Sequence, residues 1–257
     1  IDSIAIGPNA STSPISAGSI TMGLNARSLN EKSIAIGVDA YSSAAGGVSL
    51  GNGAQTTNSN STAIGSFAKA KEANATAVGM NANALGNQST AIGSNANVAD
   101  GARESVAIGN NASTAKSYSF AAGSNAKTAE QLSVAIGFNA NATGISAVAI
   151  GSNATTGINA WNTIAIGNNA NATLRDGVAI GNNSTTVGDL AIAMGTNSTS
   201  QYQSVALGTE SAANGGSSIA LGASSNATVG GAVALGNSTV AGSNMFDATS
   251  SGATFKN

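Results

Sequence analysis

The chain has 257 residues, a formal net charge of −2, only 8% charged and 4% aromatic side chains, and a large share of Gly, Ala, Ser, Thr and Asn. So few bulky side chains cannot fill one thick core, whereas many small ones suit a thin structure whose backbones approach closely. Without Cys or His there is no disulfide framework, and the commonest general base and metal ligand are missing, so no cofactor or metal is expected.

No basic run marks a footprint for nucleic acid or anionic lipid. No apolar run reaches the length needed to cross a membrane, so direct membrane insertion is not expected. The chain opens at Ile1 with no leader-like stretch, and is therefore expected to be a piece of a longer protein.

The chain is organised by one recurring stretch. Its cleanest copies are Ser33-Ile34-Ala35-Ile36-Gly37, Ser105-Val106-Ala107-Ile108-Gly109 and Ser133-Val134-Ala135-Ile136-Gly137. The closing glycine returns at 7, 23, 37, 51, 65, 79, 93, 109, 123, 137, 151, 167, 181, 195, 208, 222 and 236, which makes seventeen copies. Most steps are fourteen residues, with three sixteens and one thirteen. A fixed short period reads as a solenoid.

Take the motif serine as position one and the glycine as position five. Alternation over positions one to five predicts a strand. Side chains at two and four share a face, and position three points the other way. Gly at five and the frequent Asn at seven tolerate left-handed backbone, so the chain turns there. A second short strand is expected around positions eight to twelve, as in Ala140-Asn141-Ala142, before another turn returns to the next serine. Each copy is thus one coil of a two-sided parallel β-roll, an all-β fold.

The facing strand offers Ala, Ser or Thr at eight and ten, which matches Ala at three. These three positions are placed inside a narrow roll, and the branched pair at two and four projects outward. Seventeen coils at about 4.8 Å each stack to roughly 80 Å. A Val/Ile/Leu stripe of that length marks an interface. The expected partner is the same chain, as a parallel homotrimer. Its interface is assigned to Ile4, Ile6, Ile34, Ile36, Val106, Ile108, Val134, Ile136, Val148, Ile150, Ile164, Ile166, Val178 and Ile180. The reversed arrangement, with the aliphatics inside and Ala outward, gives a monomeric β-helix instead.

The sixteen-residue steps carry Pro14, the run Asp100-Gly101-Ala102-Arg103-Glu104, and Gly157-Ile158-Asn159-Ala160-Trp161. Their extra residues are expected to bulge at a loop edge, because an insertion within a strand flips its faces. The repeats are assigned to 1–239. Residues 240–257 are read as a cap or the start of another module.

The repeats resemble the YadA-like head of trimeric autotransporter adhesins, whose pattern is Asn-Ser-Val-Ala-Ile-Gly followed two residues on by a small residue. The likeness runs from Ser3 to about Thr239. It implies a left-handed parallel β-roll that trimerises. It also implies display on a Gram-negative outer membrane, held there by regions outside this chain. Such heads attach cells to matrix proteins, host cells, one another or abiotic surfaces. The residue before the motif is Glu104 in one copy and Leu132 in another, where the family pattern has Asn.

Other features point to chemistry less strongly. The carboxylates fall at turns and do not recur in one column, so no catalytic pair is assigned and no enzyme is expected. Trp161, the sole tryptophan, is a candidate ligand contact, since aromatics are enriched at binding hot spots. Phe67, Phe138, Tyr41 and Tyr202 are weaker lateral candidates. Thr62, Thr76 and Thr90 replace an apolar residue in three consecutive coils. Asn-x-Ser/Thr sequences at Asn111, Asn141, Asn153 and Asn171 follow from the turn Asn and the hydroxyl-rich strand after it. Two other readings are a trimeric fibre segment that binds carbohydrate and a solenoid that orders ice or another surface.

Overall fold

A computed structural model of the chain describes residues 2–242 and 246–247. It is all strand and turn, and it divides into two compact units, 1–132 and 133–257. Each unit is a parallel β-solenoid built from the same coil. The motif forms a three-residue strand, as at Ile34–Ile36 and Val148–Ile150, and a two-residue strand follows five residues later, as at Tyr41–Ser42 and Thr155–Thr156. The strands are shorter than the sequence suggests: positions two to four, and nine to ten. Gly at five and the bend after position ten end them early.

Within each unit, strands pair in parallel with their counterparts one coil away. Ile34 stands beside Val48, Ala35 beside Ser49 and Ile36 beside Leu50; likewise Ile164 stands beside Val178 and Ala165 beside Ala179. The two-residue strands form a second ladder, with Lys69 beside Asn83 and Thr185 beside Thr199. Equivalent positions of successive coils therefore stack on one another along each ladder.

The interior is small side chains packed from both ladders. Ala35, Ala40, Ala63, Ala68 and Ala70 in the first unit, and Ala135, Ala140 and Ala142 in the second, are fully buried. Val98 is the largest fully buried side chain among the described residues, which shows how little width the roll has. The expected inward positions three, eight and ten are inward. The branched positions two and four lie on the outer face, so the reversed, Ile-filled arrangement is excluded. Position one also faces in: Ser33, Ser61, Ser89, Ser204 and Ser218 are buried. Their hydroxyls donate to the carbonyl three residues earlier, at 2.6 Å for Ser33 to Asn30 and 2.7 Å for Ser204 to Gln201, closing the second turn.

Two turns close each coil. At the first, the motif glycine has φ between 111° and 140°. A Cβ on Gly167 would stand 2.4 Å from the Gly181 carbonyl oxygen, so both conformation and space exclude a side chain. Two residues on, Asn takes left-handed angles, with φ of 56° at Asn153. Its amide then bonds the Asn of the next coil: Asn139 to Asn153 at 3.2 Å, Asn169 to Asn183 at 3.2 Å and Asn183 to Asn197 at 3.1 Å. Asn recurs because it meets both demands at once, left-handed backbone and a side-chain ladder.

The second turn has its own left-handed residue, just before the motif serine. It is filled by side chains as unlike as Lys32, Gln88, Tyr118 and Leu190. All three sixteen-residue steps place their extra pair in this turn, leaving both ladders in register, and the thirteen-residue step is shortened here too. The neighbouring coil makes room. A Cβ on Gly86 would lie 2.0 Å from the Ala102 carbonyl oxygen, and one on Gly144 would lie 1.7 Å from that of Ala160.

The last complete coil ends in the strand Val240–Ala241, and Phe246–Asp247 pairs alongside Val233 and Ala234. The ladder thus runs past residue 239. Residues 243–245 and 248–257, part of the segment read from sequence as a cap or the start of another module, lie outside the described residues.

Gly167→Ala is expected to cost about 1–3 kcal/mol, from forced backbone strain and a clash with the adjacent coil. Asn153→Ala, which loses one exposed hydrogen bond and the left-handed preference, is expected to cost about 0.5–1.5 kcal/mol. Chemical denaturation of the two variants checks both the order and the size.

Candidate interaction surfaces

Each coil exposes the outer faces of its two strands and its two turn edges. The outer face of the three-residue ladder carries the branched pair. Ile34, Ile36, Val106, Val134, Val148, Ile150, Ile164, Ile166, Val178 and Ile180 are half-buried, each covered on its flanks by its neighbours in the ladder and open to solvent at its tip. Ile108 and Ile136 are each 38% exposed, and Ile4 and Ile6, on the first coil described, reach 50% and 54%. All fourteen residues assigned to an interface from sequence therefore share one face within their own unit. In the first unit the stripe is interrupted by Thr62, Thr76 and Thr90, which stack directly on one another. It is interrupted again by a size inversion, where Phe120 stands beside Val106 and Ala122 beside Ile108.

The first-turn edge is mostly the polar Asn ladder. It is broken at Phe67, which holds the left-handed position with φ of 58° and is 52% exposed. Its ring lies over Gly53 of the preceding coil, where a Cβ would stand 2.7 Å from the ring. Phe138 on the same edge of the second unit is 53% exposed, and Tyr41, on a two-residue strand, is half-buried.

The second-turn edge is the irregular one. The inserted pairs push Ile15 and Ile158 far into solvent, at 69% and 79% exposure. In the first unit a shallow depression beside the insertion is lined by Glu72, Asn87, Asp100, Gly101 and Arg103. Among the described residues no three carboxylates come together in a group able to hold a metal ion. In the second unit Trp161 is 52% exposed at the foot of the third insertion. Sequence reasoning counted Asp189 only among the turn carboxylates and did not pair it with Arg175 on this edge. Their side chains meet at 2.7 Å, and the Arg175 backbone N–H donates to the other carboxylate oxygen at 3.0 Å. The legible signal was the spacing: 161, 175 and 189 are each one period apart.

The hydrogen bond from Arg175 holds the Asp189 carboxyl below its ordinary value of 3.8, and the same bond raises the guanidinium. A depressed carboxylate pKa contributes stability that is present above the ordinary value and lost as pH falls through the lowered one. In an Arg175→Met variant the Asp189 titration followed by carbon NMR is expected to move upward, back toward its ordinary range.

No curated protein sequence matches the chain at a significant level. Among solved structures, it is similar to the collagen-binding domain of the Yersinia adhesin YadA, with 24% identity over 71% of this chain and 82% of that one and a TM-score of 0.43. The family model of the YadA head domain repeat matches ten overlapping or adjacent segments, 29–54, 57–82, 70–96, 102–126, 131–154, 162–184, 175–198, 187–211, 200–225 and 213–239. These segments cover most of the motif copies, including the aliphatic and glycine columns that shape the roll, and the chain belongs to the YadA head domain repeat family.

Proposed function

We propose that this chain is the head of a trimeric surface adhesin. It attaches a Gram-negative cell to matrix proteins, other cells or abiotic surfaces through many weak contacts, and carries out no catalysis. The observation that supports assembly is the outer face. A roll whose interior is closed by alanine leaves its Ile and Val tips in water. A tip such as that of Ile136, still 38% exposed, gains about 0.5–1 kcal/mol on full burial, and the gain recurs coil after coil. A stripe of this kind is satisfied by a copy of itself, with the aliphatics of three parallel chains meeting about one axis. The fourteen outer-face residues named above, from Ile4 to Ile180, are the proposed contacts.

Three chains, each repeating its turn residues coil after coil, present the same weak contact many times. Avidity then exceeds any single affinity without one strong site. The turn edges vary most between coils, and ligand recognition is assigned to them, with Trp161 as the leading contact. The collagen-binding function of the Yersinia domain makes matrix proteins the first ligands to test.

Dilute protein is expected to sediment at three times the chain mass, and the double variant Ile136→Lys, Ile150→Lys at the mass of one chain with unchanged circular dichroism. A monomeric wild type sinks the assembly. The intact protein is expected to bind at least one of immobilised matrix proteins, cultured cells or bare plastic, and the monomeric double variant to lose more than about tenfold in apparent affinity. Equal binding by the two removes multivalency from the account.

A further inference from the structure

One stretch of the second-turn edge in residues 133–257 departs from the rest. Four successive coils place Trp161, Arg175, Asp189 and Tyr202 at the same point of the turn. The backbone fixes the column. The Asp176 N–H donates to the Trp161 carbonyl, that of Leu190 to the Arg175 carbonyl, and that of Gln203 to the Asp189 carbonyl, each at 2.9 Å. With about 4.8 Å per coil, the two aromatics stand roughly 14 Å apart. Trp161 and Tyr202 are 52% and 53% exposed. Turn geometry does not ask for either ring, since other coils fill this point with Ser59, Ala73 or Asn87. The neighbouring coil is adapted to the shortened turn that carries Tyr202. A Cβ on Gly188 would fall 2.2 Å from the Tyr202 nitrogen.

Between the rings, Asp189 holds Arg175 by both its backbone and its guanidinium, at 3.0 Å and 2.7 Å. The two form an ion pair, and the Arg175 side chain is still 58% exposed. The pair is fixed in place, yet most guanidinium N–H donors and the second lone pair of each carboxylate oxygen stay free. Donors and acceptors thus lie side by side, flanked by two amphipathic rings.

We propose that this column binds a short neutral carbohydrate segment laid along the stack. The C–H faces of its sugar rings rest on Trp161 and Tyr202, and the hydroxyls between them bond to the Arg175–Asp189 pair. A pyranose has one apolar face and a rim of hydroxyls, and the column offers the complement of both. Size decides against a protein held by this strip alone. A strip about 14 Å long and one turn wide covers roughly 150–200 Å², far below the ~800 Å² that each partner contributes to a standard protein interface. Charge decides against a polyanion. Arg175 stands between Asp176 and Asp189, so the strip has no net positive charge to offer.

The inference deepens the adhesive reading by naming a ligand class, and rests on it only for its biological use. Trp161 is the sole tryptophan, so its fluorescence reports on this site alone. The intact protein is titrated with neutral tri- and tetrasaccharides of β-1,4-linked glucose, N-acetylglucosamine and galactose, and with heparin as a polyanion. At least one neutral member is expected to change the emission saturably, with Kd on the order of 0.1–1 mM. Tyr202→Ala and Arg175→Ala each weaken it about five- to tenfold, Tyr202→Phe retains it, and Phe67→Ala leaves it unchanged. The proposal is overturned by silence across the neutral panel, by a response to heparin alone, or by Trp161 emission already shielded from acrylamide in ligand-free protein, which would make the ring a contact between subunits. Failure here leaves attachment to matrix, cells or plastic standing as a separate measurement. Saccharide binding without any attachment indicts the adhesive reading instead.

Discussion

The spacing between adjacent backbones at the motif glycine governs this molecule. Each such glycine lies so close to the next that a Cβ at Gly37 or Gly151 would fall 2.5 Å or less from a carbonyl oxygen. Coils stacked that tightly, and folded back on themselves after three strand residues, leave an interior only about one methyl group deep on each side. Alanine fills it. Apart from Val98 and several threonines, branched side chains are turned to the outer face, where Ile and Val remain half in water. Interior composition, exterior stickiness and the need for company all follow from that single approach distance.

Cohesion within a unit comes less from apolar burial than from hydrogen bonding. Alanine contributes little transfer free energy, but the backbone N–H groups of one coil meet the carbonyls of its neighbour, commonly at 2.8 to 3.0 Å. Side chains add further links in the same direction, through the Asn ladder at the first turn and buried hydroxyls inside. In the second unit the eighth position changes from Ala140, Ala154 and Ala170 to Ser184, Ser198, Ser211 and Ser225. Each serine hydroxyl donates to the motif glycine carbonyl three residues back, at 2.8 to 3.0 Å. Not every hydroxyl is so placed: those of Thr114, Thr128 and Thr186 are buried without a partner among the described residues. Stability in such a stack is a sum over neighbouring coils, so a defect weakens its own surroundings first.

Much of this was legible in the residues. Alternation in Ser133-Val134-Ala135-Ile136 set which side chains share a face, and the Ala of the facing strand showed which face turns in. The second left-handed position was not legible. Its occupants, from Lys32 to Tyr118 to Leu190, have nothing in common except the backbone they adopt, so no column of like residues announced it. The inward position one was overlooked. Alternation puts this serine on the face of position three, but only three, eight and ten were named as inward, and only the closed roll shows its hydroxyl reaching back to a carbonyl. The Arg175–Asp189 pair went unnoticed because neither residue repeats, and only stacking in register makes them neighbours.

The second turn also absorbs every change of length among the seventeen motif copies. Two residues enter beside Pro14, Asp100 and Ile158, one is lost beside Tyr202, and the ladders on either side keep their pairing. A glycine on the adjoining coil accompanies several of these changes, as Gly86, Gly144 and Gly188 do. This edge is therefore a natural splice point. New sequence can be written there one coil at a time, altering what the surface displays while the scaffold beneath keeps its shape.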